Sequence, residues 1–89
     1  MRAIVTVLGK DRVGIMSLVC ALLAQHNVNI LDISQTILQG DFTMVMLVDT
    51  AACAASIGEM SDLLEQAGQE QGLSIRIQRE EIFDAMHRI

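Results

Sequence analysis

The spacing of apolar residues switches between a period of two and a period of 3.6 along this chain, and each switch marks an element. Arg2 to Leu8 is short, rich in β-branched residues and apolar at successive positions, which predicts a strand covered on both faces that ends at Gly9. After Gly14, residues Ile15, Leu18, Val19, Leu22 and Leu23 fall at helical spacing and form one stripe, with Asp11 ahead of it as an expected N-cap and His26-Asn27 closing it. Val28 to Gln39 reads as a long strand with Leu31, Ile33 and Ile37 on one face and Asp32, Ser34 and Thr36 on the other. The turn signal Gly40-Asp41 separates it from Phe42 to Asp49, so these two strands are expected to form an antiparallel hairpin. The second of them is again apolar on both faces, with Phe42, Met44, Met46 and Val48 opposite Val45 and Leu47.

The helical period returns from about Ala54 to Gln71, with Ile57, Met60, Leu64 and Ala67 in a stripe, Glu59, Asp62, Glu65 and Glu70 toward solvent, and Gly72 as the stop. Leu73, Ile75 and Ile77 then alternate with Ser74, Arg76 and Gln78 as a half-buried strand. Glu80 to Ile89 closes the chain as a short amphipathic helix carrying Ile82, Phe83, Met86 and Ile89. The order is β-α-β-β-α-β with a C-terminal helical tail. That is the α+β, ferredoxin-like arrangement: a four-stranded antiparallel sheet with both helices on one face and the other face open. Right-handed crossovers put the first and third strands at the centre, and these are the two that the pattern makes apolar on both faces. The predicted domain spans 1–80 and the tail 81–89.

Composition sharpens this. In 89 residues, 52% are apolar but only two are aromatic, both Phe. The length allows one domain with one core, and the hydrophobicity excludes a disordered chain. A domain of this size leaves about a third or more of its unfolded surface uncovered, so the apolar surplus predicts self-association. Its expected location is the second faces of the first and third strands, together with the tail.

Six Lys and Arg against eleven Asp and Glu give a net charge of −5. With the basic residues scattered and no aromatic residues between them, direct nucleic-acid binding is not expected. No stretch approaches the roughly 20 apolar residues of a membrane span, and no cleavable leader pattern opens the sequence, which predicts a cytoplasmic protein without membrane contact. Cys20 and Cys53 form no C-x-x-C pair, and Cys20, among apolar helical positions, reads as a small buried hydrophobe. Glu81, Asp84 and His87 share a helical spacing in the tail, where a solvated polar face accounts for them better than a metal site. No nucleophile, base and orienting group can be assembled, so the chain is not expected to be an enzyme, and no cofactor is expected.

The strongest local signal is Gly9-Lys10-Asp11-Arg12-Val13-Gly14-Ile15 between the first strand and first helix. Glycines around polar residues at such a turn suit either anion binding by backbone N–H groups at a helix N-terminus or turn geometry and close helix-to-sheet packing, with Asp11 as a cap. Leu8-Gly9-Lys10-Asp11-Arg12-Val13-Gly14-Ile15, followed by Leu22-Leu23-Ala24 and Asn27-Val28-Asn29-Ile30, resembles the ACT domain over the whole chain. The ending Ile82-Phe83-Asp84-Ala85-Met86-His87-Arg88-Ile89 is similar to small stand-alone ACT proteins of uncharacterised function, related to the glycine cleavage system transcriptional repressor.

The resemblance implies a regulatory module, a homodimer or higher oligomer, that binds an amino-acid effector such as glycine or serine between two copies and acts on a partner protein. It places Asp11, Arg12, Val13, Gly14 and Ile15 of one copy opposite Asn29 and Ile30 of its neighbour. Two departures from the serine-binding domain of phosphoglycerate dehydrogenase stand out: Gly9 where that domain has a ligand-contacting His, and Asp11 where it has an Asn. A dimerisation unit without a ligand is the alternative expectation.

Overall fold

The computed structural model describes residues 1–81. Its elements run β1 (Arg2–Lys10), α1 (Ile15–Gln25), β2 (Asn29–Leu38), β3 (Asp41–Asp49), α2 (Ile57–Gln71) and β4 (Ser74–Arg79). All pairings are antiparallel and the sheet order is β2-β3-β1-β4, so β1 and β3 are central and β2 and β4 are the edges. This is the ferredoxin-like arrangement expected. Of the predicted tail, 81–89, only Glu81 is among the described residues; 82–89, with Asp84 and His87, lie outside them.

The core lies between the sheet and the helices. Ala3, Val5 and Val7 of β1, Met44, Met46 and Val48 of β3, and Ile75 and Ile77 of β4 meet Ile15, Val19 and Leu23 of α1 and Met60 and Leu64 of α2. Burying one strand face against these two helical stripes is the main stabilising term available to a chain of this size. Helix α2 is well terminated. Ser56 accepts from the Glu59 backbone N–H at 3.1 Å while the Glu59 carboxylate accepts from the Ser56 N–H at 3.0 Å, a reciprocal cap, and Gly72 closes the far end at φ 71°.

Three local expectations need correction. Asp11 does not cap α1: Gly14 occupies the N-cap in the left-handed region, φ 94°, with no side-chain hydrogen bond. The hairpin turn is Gln39-Gly40 rather than Gly40-Asp41, with φ of 53° and 83°, the doubly left-handed form that matches strand twist. Strand β1 runs through Gly9 to Lys10, so Gly9 lies within the strand rather than in a turn, and a Cβ there would require the Leu73 side chain to shift.

The apolar surplus is only partly where it was expected. On the open face Leu8 of β1 is exposed, but Ile4 is buried and Val45 and Leu47 are half-buried. Further exposed large apolar side chains are Leu31, Ile33, Ile37 and Leu38, all on β2. Every residue from Leu31 to Leu38 is exposed, whichever face it is on. The periodicity correctly separated the two faces of β2, but an edge strand beyond the reach of the helices leaves both faces to solvent.

Candidate functional site

Asp11 to Gly14 forms the turn between β1 and α1. Its first two residues tie it down: the Asp11 N–H donates to the Gly40 carbonyl at 2.8 Å, and Arg12 Nη2 donates to Gln71 Oε1 at 2.9 Å, fastening the turn to the hairpin tip and to the end of α2. Lys10 and Asp41, cross-strand partners, add an exposed ion pair of 3.1 Å. Val13 projects wholly into solvent, at 102% relative exposure. Ile15, by contrast, points into the core, so its side chain anchors α1 and only its backbone faces the turn.

The first helical hydrogen bond runs from the Leu18 N–H to the Gly14 carbonyl at 2.9 Å. The N–H groups of Ile15, Met16 and Ser17 therefore precede the ladder, and no side chain caps them. Together with the positive end of the helix dipole, they offer a carboxylate a set of donors, beside the exposed carboxylate of Asp11 and guanidinium of Arg12.

Asn29 and Ile30 open β2. Asn29 is exposed, and Ile30 is half-buried against the core. Within one chain they are remote from the turn. Asn29 pairs with Asp49 and Lys10 with Asp41, so the two groups lie at opposite ends of β3, eight residue steps or about 26 Å apart at about 3.3 Å per residue. The chain assembles the first group by itself and holds the second at the far end of the sheet.

Sequence reasoning missed Asp49 as a neighbour of Asn29. Its carboxylate accepts from the Ala51 N–H at 2.9 Å and lies 3.4 Å from the Met1 ammonium. The Ala51 hydrogen bond, then the ammonium and Arg2, hold its pKa below the usual carboxylate range. Only its strand-end position could have flagged it, because the pairing with Asn29 depends on a register shift between Ile30 and Asp32.

A larger recess of about 530 Å³ lies between α2 and β4, lined by Ser61, Glu65, Gln69 and Arg76 among others. It contains none of the predicted site residues. No group of three His, Cys, Asp or Glu that could hold a metal occurs among the described residues, and none of their helices is long and apolar enough to cross a membrane.

Comparison with known proteins agrees with the fold. The sequence model of the ACT domain matches residues 2–78. A UPF0237 protein of Bifidobacterium longum is 56% identical over 88 residues, covering 99% of this chain and 98% of its own. Among solved structures, an ACT domain protein from Streptococcus pneumoniae superposes with a TM-score of 0.83 at 39% identity, covering 98% of both chains. A candidate glycine cleavage system transcriptional repressor gives a TM-score of 0.73 at 27% identity, covering 86% of this chain and 44% of that one.

Proposed function

The chain belongs to the ACT domain family, within its UPF0237 group, and from that premise we propose that it is a non-enzymatic regulatory module binding a small amino acid, glycine or serine, between two copies. ACT domains are regulatory domains that often bind amino acids and dimerise, and no catalytic family is indicated. The observation that carries the reading is the division of the site. Its anion-binding half, at Asp11 to Ile15, and its polar half, at Asn29, occupy opposite ends of one sheet, so only a second copy can bring them together.

The chemistry fits a zwitterion. The uncapped N–H groups of α1 take the ligand carboxylate, with Arg12 adding charge, while the Asp11 carboxylate and the Asn29 amide oxygen of the neighbour take the ammonium. The open, polar surroundings leave little apolar wall for a large side chain. A lone domain has no second site to regulate, so the readout is a contact with a partner protein in the cytoplasm, altered by occupancy.

Calorimetric titration with the twenty amino acids tests this. Heat is expected with glycine or serine, and it should disappear in Asp11→Ala and Asn29→Ala while sedimentation shows the assembly intact. Silence from all twenty at several millimolar overturns it. One observation favours the second reading, a dimerisation domain without a ligand: Gly9 stands where the serine-binding relative has a ligand-contacting His, and a side chain there would require Leu73 to shift. Under that reading the same two substitutions change nothing measurable.

A further inference from the structure

The bond from Arg12 Nη2 to Gln71 Oε1 joins residues 59 positions apart and spans from the turn ahead of α1 to the last residue of α2. The two ends it connects are held differently. On the α2 side, the Leu73 N–H donates to the Gly68 carbonyl at 2.8 Å and Gly68 lies against the backbone of Leu73 and Ile75, which fixes this end of the helix to β4 without help from Arg12. On the turn side, Arg12 is exposed and its guanidinium is held by a neutral amide.

That choice of partner is informative. The chain has eleven carboxylates, and two of them, Asp11 and Glu70, are the sequence neighbours of Arg12 and Gln71, yet Arg12 forms no ion pair among the described residues. Guanidinium bonds to a carboxylate are shorter than those to an amide, can be bidentate, and are about twice as strong. An amide therefore holds Arg12 without neutralising it and yields it to an arriving carboxylate.

We infer that Gln71 is the resting partner of Arg12 and competes for it with the carboxylate of the amino acid, so that binding breaks the bond and releases the end of α2. This rests on the amino-acid site proposed above, in which Arg12 adds its charge to that carboxylate. Gln71 also lines the groove of about 200 Å³ between α1 and α2, beside Leu18, Leu22 and Ala67. Occupancy of the turn thus changes a side chain on the helical layer of the molecule. The coupling is reciprocal: whatever draws Gln71 away from Arg12 tightens ligand binding by the same factor that binding favours its release.

The test is calorimetry with glycine and serine on the full-length native chain, Gln71→Ala and Gln71→Glu. Gln71 is exposed, so both variants keep the fold, which an unchanged urea midpoint checks. Removing the competitor in Gln71→Ala is expected to tighten binding about threefold to tenfold, the worth of one such hydrogen bond. Gln71→Glu, which turns the amide into an ion-pairing carboxylate, should weaken binding by a similar factor, and the loss should fade with added salt. Damage to the site would move both variants the same way, whereas competition gives opposite signs. In the native chain the Gln71 side-chain amide signals in NMR should shift on titration with the calorimetric midpoint. Native heat together with unchanged or weaker binding in Gln71→Ala, or with Gln71 signals that stay in place, overturns this inference and leaves the amino-acid reading standing. Silence from all twenty amino acids in the native chain and Gln71→Ala alike sinks that reading and this inference with it.

Discussion

The two edges of the sheet are built on opposite terms. Strand β4 has six residues, carries Arg76 and Arg79, and is locked to α2 on the side facing the core, where Ile75 and Ile77 are buried beside Leu64 and Gly68. A Cβ at Gly68 would come within 2.6 Å of the Leu73 carbonyl oxygen, so helix and strand touch backbone to backbone. Strand β2 has ten residues, one charge, and exposed side chains on both faces from Leu31 onward. One edge is packed within the chain and the other is exposed on both faces among the described residues. Basic side chains at two of six positions also disfavour pairing of β4 with its own copy, because an antiparallel register centred between Arg76 and Arg79 sets Arg76 of one copy beside Arg79 of the other.

If that contrast is right, damage near β4 lowers the stability of the folded chain, whereas damage on β2 lowers association. The largest effect is expected from Leu64→Ala, which empties a fully buried position on α2. A loss of about 3 kcal/mol in urea unfolding is expected, within the range for buried Leu truncation. Gly68→Ala comes next at about 2 kcal/mol, by overpacking, since the atom it meets is backbone and cannot swing away. The corresponding change on the other edge, Ile37→Lys at a 52% exposed site, should leave the stability of the isolated chain within about 0.5 kcal/mol. It should nonetheless halve the sedimentation mass and abolish any dependence of Tm on protein concentration. A stability loss from Ile37→Lys as large as that from Leu64→Ala would dissolve the distinction between the edges.

The element order, the central strands and the helical stripes were legible because each depends on a repeat within one segment. Val19 and Leu23, or Met44 and Met46, announce their burial by spacing alone. What stayed hidden depends on pairs of segments. Gly9 looks like a turn glycine until Leu73, more than sixty positions away, is seen to occupy its Cβ space. Leu31, Ile33 and Ile37 look like a core-facing row, and nothing in β2 itself reveals that the helices end short of it. The turn from Asp11 to Ile15 could be located from sequence, but its separation from Asn29 along the sheet follows from register, which only the folded pairing supplies. Ser56 and Glu59 are a different case: their S-x-x-E spacing was readable as a capping box. The apolar run from Ala54 obscured it, which moved the predicted helix start upstream.

That cap supplies the smaller effects and tests whether α2 is the rigid side of the molecule. Ser56→Ala removes the acceptor for the Glu59 N–H and should cost about 1 kcal/mol, seen as a lower urea midpoint with an unchanged slope. The pH effect is smaller again. The Ser56 backbone N–H, followed by its hydroxyl, lowers the Glu59 pKa relative to the unfolded chain. A carboxylate lowered in the folded state contributes stability that is fully present above its unfolded pKa and is lost as pH falls through the folded one. Acid should therefore loosen α2 from its N-terminal turn, with hydrogen exchange rising first around Ile57 to Met60. Glu59→Gln should flatten that part of the acid response while leaving the Ser56 hydroxyl cap in place. Asp49 is lowered in the same direction by the Ala51 N–H and the Met1 ammonium, and it sits beside Asn29 at the start of β2. Asp49→Asn should accordingly remove acid sensitivity from the β2 end alone. Acid-induced exchange that began at Asn29 and vanished in Glu59→Gln would mean that the two ends of the sheet unfold together, and that β2 is less independent of the core than its exposure implies.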